Sequence, residues 1–443
     1  MKISRGSYWL KAGSYSFLQN ITNLLFGFGG FFLLVRVLSK DQFGVWVLFI
    51  TVTSILGMIR QSLLRNGLII FLADNKKYDE NEVRFSSLIL NILITSAGIS
   101  IIFFAAPFLS DLWKAPELTF ILRIFCLTAL ILVPFTQLEY YFQAKLNFKA
   151  IFIGNLLRNG SFFAFVCGVY FGMIPSLLDI LVLLHLASGA IGSLTYIYLG
   201  RNDMIRVASL NWRYIKALFA YGKYVLGTGL SAILNTSVDQ FMIGSLMDTA
   251  SVALYNASNR VVTLVSIPST VIASIVFPKS AEVGAEKKLS ALKDLYEKSL
   301  AVNMAIIFPA VAVIMIFPAL IIKIVAGSEY LEAVPYLRWM MIIAIFIPPA
   351  RLFGTILDSL GKPQINFYVT SISAVINVGL NYFLIKEYGV LGAIFGSIIV
   401  LLVAFVVMQI ILKRKIDASF SAIFSYMISF YEDFILKILK KST

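Results

Sequence analysis

The chain has 443 residues, 59% of them hydrophobic and only 14% charged, which excludes an ordinary soluble globular domain. A net charge of +14 would suggest nucleic acid in a soluble protein. In so apolar a chain it reads as basic membrane loops, with no nucleic-acid partner. Two cysteines and one histidine supply neither a disulfide frame nor a metal cluster, and P-loop and His-Glu-x-x-His patterns are absent, so no catalytic residue, cofactor or metal is expected.

Apolar runs long enough to cross about 30 Å of hydrocarbon recur along nearly the whole chain. They predict an all-α integral membrane protein of twelve spans, at 12–37, 43–71, 83–109, 118–142, 150–171, 175–199, 217–246, 252–278, 299–325, 334–359, 364–386 and 389–412. Helices are required because lipid satisfies no backbone group, and the alternating pattern of a membrane barrel is missing. Lys2, Arg5 and Lys11 precede the first run. That run is too long for a signal peptide and reads as a retained helix.

Alternate loops differ in charge. Lys76, Lys77, Arg84, Lys145, Lys149, Arg201, Arg206, Arg213, Lys287, Lys288 and Lys413-Arg414-Lys415 fall on one side, while the other is nearly bare, as in Asp111-Leu112-Trp113-Lys114. The positive-inside rule then puts both termini in the cytoplasm. No outer loop is large enough to fold as a domain.

The chain reads as one unit written twice. Ser39-Lys40-Asp41-Gln42 joins spans 1 and 2, 247–251 joins spans 7 and 8, and aligning them puts Gly44 on Ala253 and Trp46 on Tyr255. Further on, Leu146-Asn147-Phe148 aligns with Ile365-Asn366-Phe367, which places Glu139 on Asp358 and Arg158 on Asn377. Two parallel six-helix bundles, 1–200 and 217–412, are expected around a pseudo-two-fold along the membrane normal, joined by a cytoplasmic linker at 201–216; such repeats are a transporter design with its site between the halves. In the basic tail, 413–443, Phe420, Phe424, Met427, Tyr431, Phe434, Ile435 and Ile438 recur at helical spacing. They predict an amphipathic helix in the inner interface.

Ionisable side chains within spans are costly in lipid and mark cavities, partners or nearby interfaces. Arg123 and Arg338, near outer span ends, read as snorkelling residues. Arg60 and Arg260 lie deeper, where a water-filled cavity is the expected home. Arg158 and Arg351 leave two readings open, cavity or structural pairing. Arg60 and Arg65 are five residues apart, about 140° around an α-helix, so both cannot point directly inward. A cationic cavity suits an anion, and guanidinium matches phosphate oxygens in pairs. Asp239 could bind a coupling cation, carry a proton or pair with an arginine. Glu139 and Asp358, near inner span ends, fit gate contacts or proton coupling. His185 reads as a core residue hydrogen-bonded to a neighbour.

Three stretches carry a family resemblance: Leu34–Trp46 (LVRVLSKDQFGVW), Tyr141–Lys149 (YFQAKLNFK) and 360–397, the last with Leu360-Gly361-Lys362, Ile376-Asn377-Val378, Leu380-Asn381 and Tyr388-Gly389-Val390-Leu391-Gly392-Ala393. They resemble polysaccharide-lipid flippases of the Wzx type, in the superfamily that also holds the MATE (multidrug and toxin extrusion) transporters. The resemblance covers essentially all twelve spans. It implies two six-helix bundles in a V that opens alternately to each side of a bacterial inner membrane. The implied substrate is a polyprenyl-diphosphate-linked oligosaccharide such as an O-antigen unit, with a glycan polymerase and chain-length machinery as possible partners. Cationic cavity residues are implied on spans 2 and 8, where Arg60 and Arg260 stand. The lipid II flippases of the superfamily carry two more spans, which 416–441 does not supply.

The reading is a flippase, not an enzyme, with Arg60, Arg65, Arg158, Arg260 and Arg351 as substrate-binding candidates and Asp239, Glu139 and Asp358 as ion-coupling candidates. The alternative is a MATE-like, cation-coupled exporter of small organic cations, which calls for cavity acids instead of arginines. An integral-membrane glycan polymerase or ligase is disfavoured by the short outer loops.

Overall fold

A computed structural model describes residues 5–73, 79–203, 211–285, 289–360 and 362–441. Lys2, Lys76, Lys77, Arg206, Lys287, Lys288 and Gly361, named above, lie outside them. The described chain is helical, in the order α1 (Arg5–Val37), α2 (Lys40–Arg60), a π-helical turn (Gln61–Arg65), α3 (Asn66–Ala73), α4 (Glu80–Leu112), α5 (Glu117–Ala144), α6 (Phe148–Tyr170) and α7 (Leu178–Leu199). There follow α8 (Trp212–Leu246), α9 (Thr249–Val265), α10 (Ile267–Ala285), α11 (Leu289–Ile316), α12 (Pro318–Val325), α13 (Val334–Ser359), α14 (Pro363–Tyr388), α15 (Val390–Ile416) and α16 (Phe420–Lys441). No strand occurs among the described residues.

Ten of the described helices are long and apolar enough to cross a membrane, eleven when the bent pair α9–α10 counts as one span. α8 runs unbroken across the expected seventh span. The protein is a multi-pass membrane protein. Expected spans 8 and 9 are each broken. The axis bends by 42° between α9 and α10, where Pro268 sits in the first turn of α10 and has no N–H to continue the ladder. α11 stops before Pro318, which opens α12 at its first position. Local caps set other starts. Ser39 and Gln42 form a capping box at α2, and Asp79 Oδ1 accepts from Glu82 N over 2.9 Å at α4.

Packing divides the chain into two compact units, residues 1–230 with Asp248–Ala250, and Ser231–Met247 with 251–443. The division falls inside α8, beyond the linker expected at 201–216. In the first unit α5 is the central helix, against α4, α6 and α7, while α1 pairs with α6. Its core includes Leu64, Leu68, Phe135, Phe142 and Tyr196. Glycines permit the tightest approaches: a Cβ at Gly154 would lie 1.8 Å from Tyr196 Cε1, and one at Gly44 would lie 1.8 Å from the Thr249 carbonyl oxygen. Thr249 Oγ1 also donates to Asp41 Oδ1 over 2.9 Å. At the basic end, Arg84 donates to the Asp203 carbonyl and its Cζ lies 3.9 Å over the Tyr141 ring. Asn211 Nδ2 reaches Glu82 Oε2 at 3.0 Å, so α4 meets both Asp203 and Asn211.

The second unit repeats this plan. α13 is central, packed on α10, α11, α14 and α15, around Leu352, Phe353, Leu357 and Tyr296. The tail helix α16 packs along α11. Ser419 N donates to Glu297 Oε1 over 2.6 Å and Tyr431 Oη to the Ala305 carbonyl over 2.7 Å. The side chains of Phe420, Phe434, Ile435 and Ile438, part of the amphipathic pattern, lie outside the described set.

Candidate functional site

Two polar clusters stand out, one in each unit. In the first, Arg60 closes α2 and is 3% exposed. Its Nη1 donates to the Ala129 carbonyl at 3.4 Å, and its buried Nε has no partner among the described residues. Arg65 ends the π-helical turn, its Nε donating to Gln143 Oε1 over 2.6 Å. Both arginines therefore reach α5. The sequence expectation treated the segment as a regular α-helix. An i→i+5 turn changes the angle, because residues five apart then lie almost over one another. Tyr140 stands within electrostatic range of both guanidiniums.

Arg158, on α6, is half-buried, with its Cζ 4.8 Å from the Phe135 ring. That ring stacks on Tyr196 at 4.4 Å. Gly192 makes room for its stem, since a Cβ there would sit 2.8 Å from Arg158 Cβ. Arg158 lies within electrostatic range of Arg60 and of Glu139. Glu139 Oε1 is held by Asn155 Nδ2 at 2.9 Å, and Asn155 also reaches the Tyr196 hydroxyl at 3.1 Å. Among the described residues, Arg60, Arg65 and Arg158 make no ion pair with a carboxylate. A buried guanidinium without a counter-charge is costly unless a ligand supplies one.

His185 is a packing residue, faced edge-on by Phe162 at 5.5 Å, Phe49 at 6.1 Å and Trp46 at 6.5 Å. The expected hydrogen bond does not form at its Nδ1, which is buried without a partner among the described residues.

The second cluster surrounds Asp239 on α8, 4% exposed. Oδ2 accepts from Tyr255 Oη at 2.7 Å and Ser397 Oγ at 2.8 Å, and Oδ1 accepts from Asn381 Nδ2 at 2.6 Å. Asn377 Nδ2 donates to Ser397 Oγ at 3.3 Å. Pairing of Asp239 with an arginine is thereby replaced by pairing with neutral donors. The amide oxygens of Asn377 and Asn381 are both buried without partners among the described residues. Gly396 lets α15 come close, since a Cβ there would meet Asn381 Oδ1 at 2.3 Å. One carboxylate, two amides and two hydroxyls form an all-oxygen donor set with a single negative charge, which suits a hard monovalent cation or a proton. No group of three His, Cys, Asp or Glu able to hold a metal occurs among the described residues.

Arg260 on α9 is half-buried and Arg351 on α13 is exposed. Asp358 is exposed. Arg123 is exposed with its Cζ 4.9 Å over the Phe103 ring, and Arg338 is exposed. Sequence reasoning missed Tyr255, Asn377, Asn381 and Ser397 as a site. The signal available was the Asn377–Asn381 pair, four residues apart and so on one helix face.

A sequence profile described as "polysaccharide biosynthesis protein" matches residues 33–335. The chain is 27% identical over 178 residues to a "probable low-salt glycan biosynthesis flippase" of Haloferax volcanii, covering 40% of this chain and 38% of that protein. It is 26% identical over 199 residues to a "putative O-antigen transporter" of Shigella flexneri, covering 44% and 47%. The chain thus spans less than half the length of these curated relatives. Among solved structures, "lipid II flippase MurJ, inward closed conformation" superposes with a TM-score of 0.77 at 11% identity, over 96% of this chain and 92% of that one. That likeness shows a shared fold.

Proposed function

The chain belongs to the polysaccharide biosynthesis protein family, and from that premise we propose that it is a flippase. It moves a polyprenyl-diphosphate-linked oligosaccharide, such as an O-antigen unit, from the inner to the outer leaflet of a bacterial inner membrane, both termini being cytoplasmic. The carrying observation is Arg60, buried with an Nε unpartnered and no carboxylate paired to it among the described residues, within electrostatic range of Arg158. A diphosphate supplies the missing acceptors in pairs and offsets the cost of two neighbouring cations. The same arginines repel organic cations, which disfavours the exporter reading. The product goes to a glycan polymerase and its chain-length machinery.

Movement would come from alternating access, coupled through a cation or proton at Asp239, with Glu139, held by Asn155, acting electrostatically on Arg158. Arg60→Ala and Arg158→Ala should each lower surface glycan and accumulate lipid-linked units inside the cell, at normal protein levels. Unchanged glycan in both single variants and the double variant would overturn the assignment.

A further inference from the structure

The π-helical turn between the two arginines of the second span is unexplained by membrane crossing. An unbroken α-helix would cross equally well, and π turns inside helices gather at functional sites. Its consequence is geometric. It turns Arg65 toward the helix that Arg60 already faces, so both meet α5, Arg60 at Ala129 and Arg65 at Gln143. These contacts differ in depth. Ala129 lies near the middle of α5 (Glu117–Ala144) and Gln143 one residue from its end. That end leads into Lys145 and Lys149, the basic side of the membrane. Tyr140 lies within electrostatic range of both guanidiniums.

We propose that Arg65 with Gln143 is a loading station and Arg60 a mid-depth station on one phosphate path along α5, lined up by the Gln61–Arg65 turn. This rests on the flippase reading and adds an order to it. The headgroup meets Arg65 first, at the basic end, and passes to Arg60 as it crosses. Gln143 positions the first guanidinium: its Oε1 accepts the hydrogen bond from Nε–H and leaves the two Nη groups to meet phosphate. Arg60 has its Nη1 on a long backbone contact and its Nε unused, as suits a station filled only in transit.

The test separates binding from transport with purified full-length chain, measuring undecaprenyl diphosphate affinity in detergent and its flipping in reconstituted vesicles. Arg65→Gln should weaken affinity about tenfold, the scale of one charge-assisted hydrogen bond, and slow flipping chiefly at sub-saturating lipid, so that the loss falls on KM more than on kcat. Gln143→Ala should move affinity in the same direction. Arg60→Gln should leave affinity within about threefold and cut saturated flipping at least about tenfold. The exchange Gln61→Arg with Arg65→Gln keeps composition and charge but moves the guanidinium to an exposed position, and it should behave as Arg65→Gln does. Wild-type affinity in the exchange variant, or a loss in the same parameter for Arg60→Gln and Arg65→Gln, would overturn the two stations and leave the flippase standing. No diphosphate binding by the wild-type chain would overturn both.

Discussion

The Tyr255 hydroxyl donates to Asp239 Oδ2 over 2.7 Å, and the two residues come from adjoining helices that would otherwise bury a lone acid among apolar neighbours. With Ser397 and Asn381 on the same carboxylate, the nest could release its donors to a cation by turning the two amides, whose oxygens are already without partners. Sodium should therefore raise the melting temperature of the purified protein more than potassium does. The gain should approach about 2.7 kcal/mol at a hundredfold excess over Kd and vanish in Asp239→Ala. A melting temperature indifferent to sodium would assign the nest to a proton.

Close packing at Gly154 supports the first cluster. An added methyl would strike the Tyr196 ring, which stacks on Phe135 and meets Asn155. Gly154→Ala should destabilise the protein by about 1–3 kcal/mol through overpacking, read as a lower melting temperature in detergent. It should also lower flipping, because Phe135 carries the Arg158 guanidinium. An unchanged melting temperature would show that Tyr196 moves aside freely.

The helical, membrane-crossing character was legible because hydropathy and backbone satisfaction leave few alternatives. Arg60 and Asp239 were legible as buried charges because each lies deep in an apolar run. What sequence did not disclose was angle and convergence. Nothing in Gln61-Ser62-Leu63-Leu64-Arg65 announces a π turn, so regular helical spacing sets Arg65 about 140° from Arg60, whereas both meet α5. Arg60 and Arg158 are brought together by packing about α5, and Ser397 meets Asp239 because Gly396 removes a side chain from the α14–α15 contact. Such relations depend on helices distant in the chain.

The tail makes a third prediction. Its amphipathic pattern alone fits a helix on the membrane surface, yet Tyr431 bonds to Ala305, well along α11, and Ser419 is fastened to Glu297, which is 1% exposed. Tyr431→Phe should cost about 1 kcal/mol, one net hydrogen bond. Glu297→Ala should cost more, because it strips the Ser419 amide of a charged acceptor. Both are measured as melting temperature. Two unchanged values would return the helix to a surface role.

Charge and shape can be separated at Arg60. Arg60→Lys keeps a positive charge in the same place but loses the planar fork, and its shorter reach to phosphate is through a single point charge. If the guanidinium serves only to set a potential, lysine should transport nearly as well as arginine. If it grips a diphosphate in transit, Arg60→Lys should still cost about tenfold or more in flipping, the equivalent of one lost charge-assisted contact. Arg158→Lys should be milder. The Arg158 guanidinium sits over the Phe135 ring, a contact that an ammonium can partly keep, and Glu139 remains within electrostatic range. Vesicle flipping of the two lysine variants side by side makes the comparison. Equal, near wild-type rates would reduce both arginines to a background field.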